Sequence, residues 1–165
     1  LKTATWRRPP PSSSPFEAKA SGHYQIATLS KHDAENTGYH DALMLDWRGH
    51  VAEATSANVF FAKGRTLHTP VPDCFLDGIT RDSIIKIARD LGYTVEEQLF
   101  TRDEVYIADE AFFSGTAAEI TPIRELDRLP IGAGSRGPVT QRIQQAFFDI
   151  VNGRNPKYAH WLTLV

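Results

Sequence analysis

The sequence predicts a single α+β domain, with mixed and largely antiparallel strands flanked by helices. Three observations carry that expectation. Short apolar blocks bounded by turn residues recur between positions 42 and 69, other stretches show an apolar stripe at helical spacing, and the two kinds do not strictly alternate. A chain of 165 residues is long enough for one domain with a proper core and too short for two comfortable ones.

Taken in order, residues 1–15 carry Pro9, Pro10, Pro11 and Pro15 with serines at 12 to 14. They hold no helix and read as an extended connector, an interdomain linker ahead of a domain at 16–165. Tyr24 to Asn36 reads as a helix closed by Gly38, where a left-handed cap is usual. Ala42-Leu43-Met44-Leu45, between Asp41 and Asp46, suggests a strand buried on both faces. Trp47-Arg48-Gly49 turns the chain, and residues 50–55 return. Val59 to Ala62 forms another strand, which Lys63-Gly64-Arg65 turns into Thr66–Thr69; together these look like one antiparallel meander.

Ile84, Ile87, Ala88 and Leu91 then fall on one helical stripe ending at Gly92. Residues 93–99 read as a strand, 101–107 as a short helix and Glu110 to Ser114 as a buried strand. The last helix begins near Pro138, a favoured first-turn residue, and Val139, Ile143, Phe147, Ile150 and Val151 give it an apolar face. No internal repeat is visible.

Composition excludes several classes of function. Lys plus Arg is 18 against 20 for Asp plus Glu, a net charge of -2 with no basic cluster, so no field draws nucleic acid. Cys74 alone forms no internal disulfide and fits a reducing compartment. No apolar run approaches bilayer length, so no membrane partner is expected. The six histidines, at 23, 32, 40, 50, 68 and 160, show no metal-ligand spacing, and no metal is expected. The only methionine is Met44, so Leu1 reads as a position within a longer or processed chain, whereas Trp161 to Val165 reads as a true terminus.

Four segments carry possible chemistry. Lys19 lies in Glu17-Ala18-Lys19-Ala20-Ser21-Gly22-His23-Tyr24. Taken alone it is an ordinary surface lysine, but small neighbours leave room for a planar ring, and Tyr24 offers a phenol. A lysine amine held and partly desolvated bonds an aldehyde cofactor. Strand alternation puts Val51, Glu53 and Thr55 on one face. Glu53 is then either a solvated carboxylate or one that accepts a hydrogen bond from a protonated ring nitrogen.

Leu76-Asp77-Gly78-Ile79-Thr80-Arg81-Asp82 opens an amphipathic helix, where free amides and a positive dipole end suit a phosphate; simple capping explains the same residues. Phe112-Phe113-Ser114-Gly115-Thr116-Ala117-Ala118-Glu119 runs a buried strand into a turn of small residues. Such a turn has amides free for phosphate on one side and a substrate carboxylate on the other.

In this order and spacing, the four segments resemble the fold-type IV pyridoxal-phosphate enzymes, and branched-chain-amino-acid aminotransferases among them. The resemblance runs from Trp6-Arg7-Arg8-Pro9-Pro10-Pro11 to the end of the chain. It includes Arg136-Gly137-Pro138-Val139-Thr140, Gln145 to Val151, and Pro156-Lys157-Tyr158-Ala159-His160-Trp161-Leu162-Thr163. It implies a pseudo-barrel of strands with flanking helices, pyridoxal 5′-phosphate as cofactor, and transamination between L-leucine, L-isoleucine or L-valine and 2-oxoglutarate.

By the same resemblance, Lys19 carries the cofactor and Glu53 meets its pyridine nitrogen. Tyr24 lies near its phenolic oxygen and the substrate, and Leu76 packs on the ring. Gly78, Ile79, Thr80 and Thr116 hold the phosphate, and Thr116 and Ala117 meet the substrate carboxylate. Departures are His23 for a usual asparagine, Asp77 for a common proline, and Ala54-Thr55-Ser56 in a varied small turn. A smaller N-terminal domain, which in the family supplies a phosphate-binding arginine, is not in this sequence. Homo-oligomers and a cytoplasmic location are further implications. D-amino-acid aminotransferases and aminodeoxychorismate lyases share the cofactor motifs, and a binding piece without activity of its own is a third alternative.

Overall fold

The apolar blocks become strands because both faces of each find cover. The structure, a computed structural model, describes residues 1–163, so Leu164 and Val165 of the expected terminus lie outside the described residues. In order, the elements are β1 (Lys2–Arg8), α1 (Gln25–Asn36), β2 (Ala42–Asp46), β3 (Val51–Ala54), β4 (Asn58–Lys63) and β5 (Thr66–Pro70). They continue with α2 (Ile79–Asp90), β6 (Thr94–Gln98), α3 (Arg102–Tyr106), β7 (Glu110–Gly115), β8 (Glu119–Pro122), β9 (Glu125–Leu126), β10 (Leu129–Pro130) and α4 (Pro138–Val151). Short 3₁₀ segments occupy Pro11–Ser13, Ser21–Tyr24 and Pro156–Trp161.

Two sheets result, ordered β1-β2-β3 and β6-β5-β4-β7-β8, with β9 and β10 as a separate pair. β1 runs parallel to β2 and β6 parallel to β5, and the other pairings are antiparallel. In β4, Val59 and Phe61 enter a core shared with Leu43, Leu45, Phe100 and Leu126, while Phe60 and Ala62 face a second core with Ile84, Ala88, Phe112 and Ile143 from α2, β7 and α4. Phe60 and Phe112 stack there with centroids 5.1 Å apart. β2 divides likewise: Leu43 and Leu45 join the first core, and Ala42 and Met44 pack with Ala34 of α1. Burial on both faces removes alternation, which is why these strands read as continuous apolar runs.

The structure corrects three expectations. Residues 1–15 are not connector throughout, because Lys2–Arg8 is a paired strand and only the proline-bearing part from Pro9 on is free of sheet. The meander is also interrupted. β3 closes the first sheet and β4 opens the second, with the Ala54 amide donating to the Ala57 carbonyl at 2.8 Å to turn the chain between them.

Finally, Val51, Glu53 and Thr55 do not share a face. Leu45 pairs with Val51 and Met44 with Glu53, so Ala52 is bulged. The extra residue sends Val51 into the core and Glu53 to the opposite side.

The N-terminus of α4 is held from another element. Both carboxylate oxygens of Glu110 accept from α4 amides, Val139 at 2.9 Å and Thr140 at 2.8 Å. Gly137 has an ordinary φ of -88°, yet a Cβ there would sit 2.1 Å from the Glu110 carboxyl carbon. Gly137→Ala should therefore displace the carboxylate and lower stability by about 1–3 kcal/mol. Chemical denaturation measures this, and an unchanged midpoint would show that Glu110 does not hold the helix end.

Candidate functional site

β3 ends, β4 begins and β7 ends at one place, where Asn58 and Ser114 are register partners. These strand ends, the 16–24 segment and the start of α2 enclose a cavity of about 560 Å³. Lys19, Tyr24, Glu53, Leu76, Gly78, Ile79, Thr80, Thr116 and Ala117 all line it. Four segments separated widely in sequence thus converge on one space.

Lys19 is exposed in the segment between Phe16, which is buried beside Ala52 and Phe75, and the 3₁₀ turn Ser21–Tyr24. Among the described residues its amine has no hydrogen-bond or ion-pair partner, so the nitrogen is free for a ligand in the cavity. Thr116 and Ala117 are exposed at the turn after β7. Ile79 and Thr80 are the first residues of α2 and line the cavity, and Gly78 before them gives no side-chain cap, so the leading amides have no intrahelical acceptor.

Glu53 is buried, at 6% exposure. Its Oε1 pairs with Nη2 of Arg8, while Nη1 of Arg8 donates to the His23 carbonyl at 2.9 Å. Burial pushes the Glu53 carboxyl up to about 7, and the Arg8 charge and hydrogen bond pull the other way. A carboxylate in this state gains from any further donor that reaches it. Cys74 offers no competing chemistry, since burial first and Asp73 second push its thiol up to about 12. Among the described residues no three His, Cys, Asp or Glu side chains gather in a group able to hold a metal ion.

Among the lining residues to which the sequence reading gives no role are Arg8, Asn58 and Ser114. Arg8 lay in a stretch read as connector, and the bulge that brings Glu53 to it leaves no mark in composition. Ser114 is only part of a motif, yet its Oγ is fully buried and, among the described residues, has no partner, as is true of Nε of Arg8. Buried polar atoms left unpaired beside a cavity suit a polar ligand. A flat ring with an anionic tail fits this lining, with amides at one end and a buried carboxylate among the lining groups.

The sequence pattern of the amino-transferase class IV family matches residues 1–126. The chain belongs to that family. A Pseudomonas aeruginosa relative named branched-chain-amino-acid aminotransferase is 46% identical over 165 residues, all of this chain and 54% of the relative. The protein of the same name from Escherichia coli (strain K12) is 44% identical over 163 residues, 98% of this chain and 53% of its own length.

A solved T.th. branched-chain amino acid aminotransferase, complexed with N-(5′-phosphopyridoxyl)-L-glutamate, matches with a TM-score of 0.96 at 44% identity. The match covers 99% of this chain and 55% of that one. The expected class IV fold therefore holds along the described chain. The chain spans about half the length of the relatives it matches.

The Glu53 carboxyl sets a pH dependence. Its folded value of about 7 lies above the ordinary 4.5, so the stability it contributes is full below pH 4.5 and is lost as pH rises through 7. Glu53→Gln should flatten that fall in denaturation midpoints between about pH 5 and 8. Arg8→Met should move it to higher pH, because the pull of the guanidinium is gone. Identical pH profiles in all three proteins would contradict the assigned environment.

Proposed function

We propose that this class IV chain is the cofactor-bearing part of a pyridoxal 5′-phosphate-dependent aminotransferase. It moves the amino group between L-leucine, L-isoleucine or L-valine and 2-oxoglutarate. The observation that carries the reading is the convergence of Lys19, Glu53, the α2 start and the 116–117 turn on one cavity. Relatives named for this activity, and a related structure holding a phosphopyridoxyl adduct of glutamate, support it.

Bound there, the cofactor supplies an aldehyde that bonds an amine and a ring that takes up electrons when Cα loses its proton. Each residue then has a distinct task. Lys19 would hold the cofactor's aldehyde carbon, and its amine, when free, would carry the proton at Cα. Glu53 keeps a negative charge against the ring nitrogen, and Arg8 favours that charged state. Tyr24 donates toward the phenolic oxygen, and Leu76 covers a ring face.

The amides of Ile79 and Thr80, beside Gly78, and the Thr116 hydroxyl take the phosphate. The Thr116 and Ala117 amides take the substrate carboxylate.

In this reading residues 16–165 form the large domain, with β1 built into its first sheet and a smaller N-terminal domain completing the pocket. Homo-oligomeric assembly and a cytoplasmic location belong to the same proposal. Among the described residues no helix is long and apolar enough to cross a membrane.

Lys19→Ala should abolish transamination, and borohydride reduction of the yellow complex should fix the cofactor to Lys19 in peptide mass analysis. An adduct elsewhere, or full activity in the variant, contradicts the assignment. Glu53→Gln, whose amide oxygen can still accept from Arg8, should bind cofactor with little loss yet slow the proton transfer by about 10²-fold or more. Turnover with L-leucine, and none with D-alanine or aminodeoxychorismate, separates this reading from the related aminotransferase and lyase.

A further inference from the structure

Gly78 is glycine for a reason its backbone does not give. Its φ of -72° and ψ of 140° suit any residue. A Cβ built there would lie 2.4 Å from Oδ1 of Asn58, so the Asn58 amide group occupies the space a side chain would need. From the same group, Nδ2 donates to the Leu76 carbonyl at 3.0 Å. Asn58 is buried at the start of β4, so it presses the 76–78 segment against the second sheet.

Arg81 grips that segment from the other side. It is 1% exposed, although its place on the first turn of a helix made it look like a surface residue. Nε donates to Thr69 Oγ1 at 3.2 Å, and Nη2 to the Pro70 carbonyl at 2.9 Å and to Glu97 at 2.7 Å. Nη1 donates to Asp77 at 2.7 Å. Thr69 in turn donates to the Val59 carbonyl, the residue after Asn58. Asn58 of β4 therefore meets both ends of Leu76–Gly78, and Arg81, anchored on β5 and β6, holds its middle residue.

We propose that Asn58 and Arg81 are positioning residues that hold Leu76–Gly78, so that the Ile79 and Thr80 amides stay aimed into the cavity at a phosphate. This rests on the reading of the α2 start as the phosphate seat. The grip acts chiefly on the anionic end of the ligand, through the α2 start; it holds Leu76 only by its backbone carbonyl, and none of its hydrogen bonds reaches Lys19 or Glu53. Its signature is a selective loss of phosphate recognition.

The test compares binding of pyridoxal 5′-phosphate with binding of pyridoxal, which lacks the phosphate, by absorbance titration of the chain. Asn58→Ala, Asp77→Asn and Arg81→Lys should each weaken pyridoxal 5′-phosphate by about tenfold or more while leaving pyridoxal within about twofold. Gly78→Ala should do the same, and its effect should shrink in an Asn58→Ala background, where the Cβ has room.

Equal losses for both ligands would overturn the proposal and leave Asn58 and Arg81 as general packing groups. Full additivity of Gly78→Ala and Asn58→Ala would overturn the steric part. A wild-type chain with no preference for the phosphorylated ligand would sink the phosphate seat itself. Asp77→Asn keeps the test decisive should Arg81→Lys not fold, because Asp77 is an exposed partner and not a core group.

Discussion

The ion pair between Arg8 and Glu53 is the constraint on which the site depends. Two charges are removed from water there, and neither is stable alone; breaking such a pair typically costs about 3–5 kcal/mol. Arg8 belongs to β1 and Glu53 to β3, the two outer strands of one sheet, with β2 between them. The pair therefore joins the sheet across its width. It also fixes the carboxylate on the cavity side, and through the His23 carbonyl it ties down the segment that carries Lys19.

Around that pair the fold divides its work. The second sheet is covered on both faces, by the first core and by α2 and α4, and so forms a rigid back wall. Strand ends and the start of α2 bring polar groups to the rim. Lys19, Ile79, Thr116 and Ala117 are exposed on the cavity rim, whereas Arg8, Asn58 and Arg81, which hold the neighbouring segments, are buried with Glu53. Burial gives each of these three side chains fixed partners, so the start of α2 and the Glu53 carboxylate keep their place in the cavity wall.

Much of the fold was legible because its signals are local. Continuous apolar runs marked β2 and β4, the Ile84-Ile87-Ala88-Leu91 stripe marked α2, and Pro138 marked the start of α4. What stayed hidden depends on distant partners. β1 has no turn signal linking it to β2, and the bulge at Ala52 exists only through the pairing with Met44 and Leu45. Arg81 looks solvated until Thr69, Pro70 and Glu97 close over it. The nine residues proposed for the site, which the structure brings to one cavity, were named through the ordered likeness of four segments, since no single segment distinguished a ligand site from a capped helix or a small-residue turn.

The most direct measurement is a crystal structure of the chain with pyridoxamine 5′-phosphate bound. The account predicts density in the cavity with the phosphate against the Ile79 and Thr80 amides, the ring nitrogen at Glu53 and the amino-bearing carbon toward Lys19. A phosphate seated elsewhere, or a ring that leaves Glu53 paired with Arg8 alone, would contradict it.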